Sequence, residues 1–213
     1  MDKYDVKKFN FAAYFLQRAR IVLFFLAVIC GSTAQAAISP VSISILDPVQ
    51  FPSADFKITG VRVSALWGRH HAVYGFDLAA LGNFTTHNMS GIQASGGFSI
   101  NQGDADILGL QAAGGINWNK KKTWVLGVQV AGIANINEGE STVSGVQVAL
   151  ANMAAHTKII GIQAGAYNVS KEVYGFQIGI INKTGMLHGI QLGLLNFNDR
   201  GLFSVSPFLN IGF

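Results

Sequence analysis

His70 and His71, next to Arg69, are the most metal-like residues of this chain. Neighbouring histidines on a strand or turn point apart, and no Cys, Asp or Glu adjoins them, so they do not supply the convergent donors a metal ion needs. His87, His156 and His188 stand alone. The carboxylates available for acid–base work, Asp104, Asp106, Glu138 and Glu140, are spread over short turn-like segments, as solvated turn residues are. Neither a nucleophile elbow nor a phosphate-cradling loop is present. These residue types lead to the expectation of a non-enzymatic protein with no cofactor and no bound metal.

The elements that position these residues come from a repeat. The stretch GIQLGLLN at 189–196 has eight upstream relatives, among them GFQIGIIN from Gly175, GIQAGAYN from Gly161 and GVQVALAN from Gly145, reaching back to GVRVSALW at Gly60. The starting glycines lie 15, 16, 18, 18, 18, 16, 14 and 14 residues apart, a period that holds one strand and one turn. Alternation within the unit puts Gly189, Gln191 and Gly193 on one strand face and Ile190, Leu192 and Leu194 on the other. A helix is excluded, because each interior glycine would cost about 1 kcal/mol relative to alanine. At the glutamine position stand Arg62 and Asp77 in the first two units, then Gln93, Gln111, Gln129, Gln147, Gln163, Gln177 and Gln191. If this face is enclosed, Arg62 and Asp77 on neighbouring strands form the pair a buried charge requires, and the glutamines bond one another or water. The enclosed face is then either a narrow polar conduit or a satisfied interior.

Ten strand-like segments fill 58–213, separated by turns such as NQGDAD, NKKKT, NEGEST, NKTG and NDRG. Residues 37–57 carry Pro40, Pro48 and Pro52 and read as a linker or an edge segment. Residues 1–36 read as an export signal: basic residues ending at Arg18 and Arg20, the apolar run IVLFFLAVIC, and Ala34-Gln35-Ala36 before a cleavage point. Removal at Ala36 takes away Cys30, the one cysteine, and leaves a chain suited to an oxidising compartment. The formal charge of +4 is concentrated in that leader. Five of the fifteen basic and two of the eleven acidic side chains precede residue 37, leaving ten against nine, so a nucleic-acid partner has no electrostatic support. Only 12% of residues are charged, low for a soluble globular domain.

Two all-β architectures accommodate the repeat. One is an up-and-down antiparallel transmembrane β-barrel of about ten strands, apolar side to lipid and Gly/Gln side inward. The alternative is a parallel β-solenoid that stacks its glutamines in a ladder. Turn charges favour the barrel: odd turns contain Asp104, Asp106, Glu138, Glu140, Glu172 and Asp199, with Arg69, Lys171 and Arg200 as basic members, whereas even turns contain Lys120, Lys121, Lys122, Lys158 and Lys183 and no carboxylate. In a barrel, odd and even turns emerge on opposite sides of a membrane. Trp67, Tyr74, Phe84, Trp118, Trp124, Tyr167, Tyr174 and Phe197 lie near segment ends, where aromatic girdles belong.

The chain ends in FLNIGF, and a final strand closing on an aromatic, here Phe213, resembles the assembly signal of bacterial outer-membrane barrels. Over about residues 59–213 the repeats resemble a family of bacterial surface-repeat proteins built from short GφQφGφφN units, φ being apolar. That resemblance implies a location in or on the outer membrane, with membrane lipid and the barrel-assembly machinery as partners, and the family has no settled biochemical activity to carry over. The expectation is an integral outer-membrane envelope protein with a structural or narrow, porin-like pore role. The alternative is an exported β-solenoid serving as an adhesion or interaction surface.

Overall fold

Strict alternation with a glycine at the head of each unit produces strands that stack on their own kind. The computed structural model describes residues 37–201 and 203–213; the export-signal reading of 1–36 lies outside them. Each repeat closes one coil. A long strand carries the GφQφ sequence, a two-residue turn reverses direction, and a short strand returns toward a second, polar turn. The long strands are Lys57–Ser64, Ala72–Ala79, Met89–Ser95, Ala105–Ala113, Thr123–Ala131 and Ser141–Val148, with Trp67–His70, Gly82–Thr85, Phe98–Asn101, Ile116–Asn119 and Ala134–Asn137 as short partners. In the shorter C-terminal repeats the polar turn vanishes, and each short strand runs straight into the next long one, giving Ala151–Ala164, Tyr167–Ile178 and Ile181–Asn198.

Every coil-to-coil pairing along the repeats is parallel. Gly127 sits over Gly145 and Gln129 over Gln147, and the same match continues through Gln163, Gln177 and Gln191. The chain is therefore a β-solenoid of nine repeat coils, and the antiparallel transmembrane barrel is overturned. No wall of membrane-crossing strands and no porin-like lumen exists among the described residues. The reason lies in the eight two-residue turns that follow the glutamine position. Ala80-Leu81, Gly96-Gly97, Gly114-Gly115 and Gly132-Ile133 contain none of the Asn, Asp or Ser that advertise a turn. Each of the first eight expected strands thus conceals a reversal and is most of a coil, the ninth lies within Ile181–Asn198, and the tenth is the single strand Val205–Gly212.

Charge alternation also reads differently in this fold. The polar turns all emerge on one edge, successive coils roughly 4.8 Å apart. Lysines then lie beside the acids of neighbouring coils, as Lys158 does in register with Glu172. Opposite charges side by side stabilise a sheet and like charges destabilise it, so a solenoid has its own reason to alternate.

Both ends are closed. At the first, Ile38–Leu46 and Val49–Phe51 form an antiparallel pair, and Ile38–Leu46 also runs parallel to the first repeat strand. Gln50 then stands in for a strand: its Nε2 donates to the Arg69 carbonyl at 2.6 Å and its Oε1 accepts from the Arg69 N–H at 3.2 Å. At the other end Val205–Gly212 pairs antiparallel with the last coil, and Phe208 at φ 65° interrupts its regular strand conformation. Unpaired sheet edges invite aggregation, and these terminal strands cover the edges of the repeat coils with short or interrupted edges of their own.

The interior has an apolar strip and a polar strip. Ile58, Val73, Met89, Ile107, Val125, Val143, Ile159, Val173 and Leu187 stack as one fully buried column. Beside it the glutamine amides form a ladder in which each Nε2 donates to the Oε1 one coil earlier, at 2.6 Å for Gln147 to Gln129 and 2.7 Å for Gln163 to Gln147. The repeat glycines between the two strips, Gly145 among them at φ 133°, have a conformation L side chains rarely adopt. A Cβ there would collide with the carbonyl oxygen of the glycine in the preceding coil.

Replacing Gln147 by leucine keeps the volume but removes the donor to Gln129 and the acceptor for Gln163. Two buried amide groups then lose partners worth about 1–3 kcal/mol each. Urea unfolding of Gln147→Leu is expected to show a loss of roughly 2–4 kcal/mol, whereas an unchanged midpoint would mean that the ladder contributes nothing.

Candidate functional site

The residues singled out at the glutamine position are all interior. Arg62, Asp77, Gln93, Gln111, Gln129, Gln147, Gln163, Gln177 and Gln191 are each 0% exposed. They line no conduit, because each amide fills the gap to its neighbour. Arg62 and Asp77 meet in two bonds, Nε to Oδ1 at 2.6 Å and Nη2 to Oδ2 at 2.5 Å, and Gln93 Nε2 donates to the same Oδ2 at 2.9 Å. This explains why the first two coils lack glutamine. A ladder whose amides all donate toward the N-terminus ends on a spare N–H, and a carboxylate accepts without donating. Its buried charge then requires a cation, and the arginine fork supplies one while reaching the Phe84 carbonyl at 3.1 Å. Removing either ion alone leaves the other buried and uncompensated, a loss of roughly 3–5 kcal/mol.

A second polar ladder was concealed in the sequence. Asn117, Asn135, Asn152, Asn168, Asn182 and Asn196 follow the glutamines by five or six residues, and each of the first five donates from Nδ2 to the Oδ1 of the next coil, at 2.8 to 3.0 Å, while Asn196 donates to the Ser206 carbonyl of the capping strand. It runs opposite to the glutamine ladder. The recurring N closing the eight-residue unit was its sequence signal.

The histidines do not converge. His70 is wholly buried with Nε2 2.6 Å from Ser42 Oγ, while His71 stacks on His87 with ring centroids 3.7 Å apart. His188 stacks on Tyr174, and His156 borders a groove of about 480 Å³ on the charged edge. Asp106, Glu140 and Glu172 border that groove too, with Trp124, Lys122 and Lys158. Among the described residues no three His, Cys, Asp or Glu side chains are grouped to hold a metal ion. The Ser42–His70 contact is sealed from solvent and offers no route for a substrate. Phe213 follows the capping strand with its ring fully exposed. The assembly role that the resemblance gave Phe213 presupposes a barrel wall, which this strand does not join.

The feature that could act on another molecule is the outside. Around each coil, outward residues of the long strand make two apolar rows, one running from Val61 and Phe76 through Val128 and Phe176 to Ile190, the other from Val63 and Leu78 to Leu192. The two-residue turns add a third, with Leu66, Leu81, Ile133, Leu150 and Ile180. Leu150 is 62% exposed and Ile133 56%. Short strands continue the belt with Trp67, Phe98, Ile116 and Tyr167, then Phe84, Ile100, Trp118, Ile136 and Met153. An apolar patch on a soluble monomer rarely exceeds a few hundred Å². Nine coils at about 4.8 Å each give a belt some 40 Å long and several rows wide, well above that range.

Burial first, and the Arg62 guanidinium second, lower His70 from 6.5 to about 4, against an opposing contribution from the Ser53 backbone. His70 is therefore neutral in the fold at a pH where the unfolded chain is protonated. Its contribution to stability is complete above pH 6.5 and falls away as pH drops from 6.5 toward 4. Urea midpoints across that window are expected to decline more steeply for the natural chain than for His70→Gln; parallel declines would show that His70 is not the group responsible.

No family model, no curated protein and no solved structure matches this chain.

Proposed function

We propose that this protein is an exported β-solenoid that works as an adhesion or interaction surface, holding a partner through its apolar belt and carrying out no chemistry. The observation behind the reading is a departure from the usual arrangement: amides and an ion pair take up one of the two interior strips, while rows of Ile, Val, Leu and Phe are exposed on the outside. Burying apolar area is worth about 25 cal/mol per Å², so a belt of this size is a strong drive toward whatever covers it. A rigid stack suits that work, since solenoids present extended surfaces with little reorganisation on binding. Export is supported by the leader sequence at 1–36 and by a remainder that lacks cysteine.

Covalent footprinting of the full chain, expressed in a bacterium, tests this reading. Aliphatic and aromatic positions of the belt, such as Phe76, Ile133, Leu150 and Phe176, are expected to be protected in the cell envelope and labelled in the isolated protein. Equal labelling in both settings would mean that nothing covers the belt, and the interaction role would fall.

A further inference from the structure

The solenoid has two corners, and their chemistry is opposite. One holds the polar turns with Asp104, Lys121, Glu138, Lys171 and their neighbours. The other is a ridge of eight two-residue turns, from Ala65-Leu66 to Gly179-Ile180, composed only of Gly, Ala, Leu and Ile. A turn facing water is normally built from residues that hydrogen-bond locally, and eight in succession without one is a composition for a medium that offers no hydrogen bonds.

Backbone bonding in the ridge meets the same demand. The Leu81 N–H bonds the Leu66 carbonyl, Gly97 bonds Leu81, Gly115 bonds Gly97 and Ile133 bonds Gly115, at 2.7 to 2.9 Å. From inside, the asparagine ladder reaches the carbonyls beside these turns, Asn117 to Val130 and Asn135 to Val148 among them, at 2.8 and 2.9 Å. In hydrocarbon each unsatisfied backbone group costs several kcal/mol, and at the second residue of the first five turns, Leu66, Leu81, Gly97, Gly115 and Ile133, both the N–H and the carbonyl are met without water.

Shape separates the possible occupants. The ridge is convex and apolar on both flanks, so a second copy laid flat against one flank would leave the other exposed. A fluid apolar phase covers both. Where each flank nears the charged corner, aromatic rings meet cations: Lys120 Nζ lies 4.5 Å from the Trp118 ring and Lys158 Nζ 4.1 Å from Tyr174. Amphipathic rings beside lysines suit the boundary between acyl chains and headgroups.

Resting on the interaction reading above, we infer that the belt's partner is lipid. The solenoid lies with its axis along a membrane and its ridge of turns sunk into the acyl chains of one leaflet, without crossing it. Insertion by about 5–10 Å, usual for interfacial segments, submerges the turn row and the nearest row on each flank. The charged corner then faces water.

Flotation of the full-length protein with phosphatidylethanolamine/phosphatidylglycerol vesicles tests this. The natural chain is expected to float with the vesicles in both low and high salt, since apolar insertion is not screened. Ile133→Asp and Leu150→Asp, whose side chains already point outward, should keep the circular dichroism of the natural chain and reduce vesicle partitioning by roughly tenfold or more each, from the cost of a carboxylate in hydrocarbon. Lys121→Asp, on the opposite corner, should float normally. Failure to float, or ridge variants that float as well as the natural chain, would overturn the lipid assignment. So would a belt protected in cells together with a chain that is a dimer in buffer and is turned to monomers by Ile133→Asp without ever binding vesicles. That outcome leaves the interaction role standing with a protein as partner, whereas a belt unprotected in cells defeats both.

Discussion

Like stacked on like is the constraint from which this molecule follows. Parallel coils about 4.8 Å apart place every side chain above its counterpart in the previous coil, so any residue type must tolerate a neighbour of its own kind. Primary amides do so well, each donating to one neighbour and accepting from the other. That accounts for a column of seven glutamines and an asparagine column running the opposite way beside it. Charges of one sign do not tolerate such stacking, and they alternate along the polar corner or pair within the core. Glycine meets glycine where two backbones come too close for a Cβ.

An amide ladder also has ends, and these explain residues that break the repeat. Asp77 closes the donor end of the glutamine column and Arg62 compensates its charge. Beyond them the interior changes to small hydroxyls, with Ser44 Oγ 2.6 Å from Ser64 Oγ, and to a neutral His70 against Ser42. The backbone is closed in a similar way by the Gln50 amide at one end and an antiparallel strand at the other. Because amides fill one strip of the core, a single apolar column suffices beside them, and the other apolar residues of the repeat stand outside.

Much of this was legible in the residues. Alternation showed which side chains share a face, and Arg62 and Asp77 at the glutamine position predicted their own pairing. Strand direction was not legible, because a barrel and a solenoid make the same demand on alternation. Two physical facts misled. Turns made of Gly-Gly or Ala-Leu look like strand when hydrocarbon-like residues replace the polar ones that mark reversals. Alternating turn charges looked like two sides of a membrane when they were neighbours on one edge. The asparagine ladder was visible only as the last letter of the repeat, since its spacing from the glutamine shifts between five and six residues.

The vertical match between coils is the claim on which all of this rests, and a cross-link reads it directly. Ser144 and Ile160 are outward-facing register partners in successive parallel strands. In an antiparallel arrangement of the expected strands they would sit at opposite ends of a pair. With Cys30 replaced by serine, cysteines at 144 and 160 are predicted to form an intramolecular disulfide under mild oxidation, identified by mass spectrometry of the linked peptides. Thiols that stay free and separately reactive would contradict a stack of parallel coils.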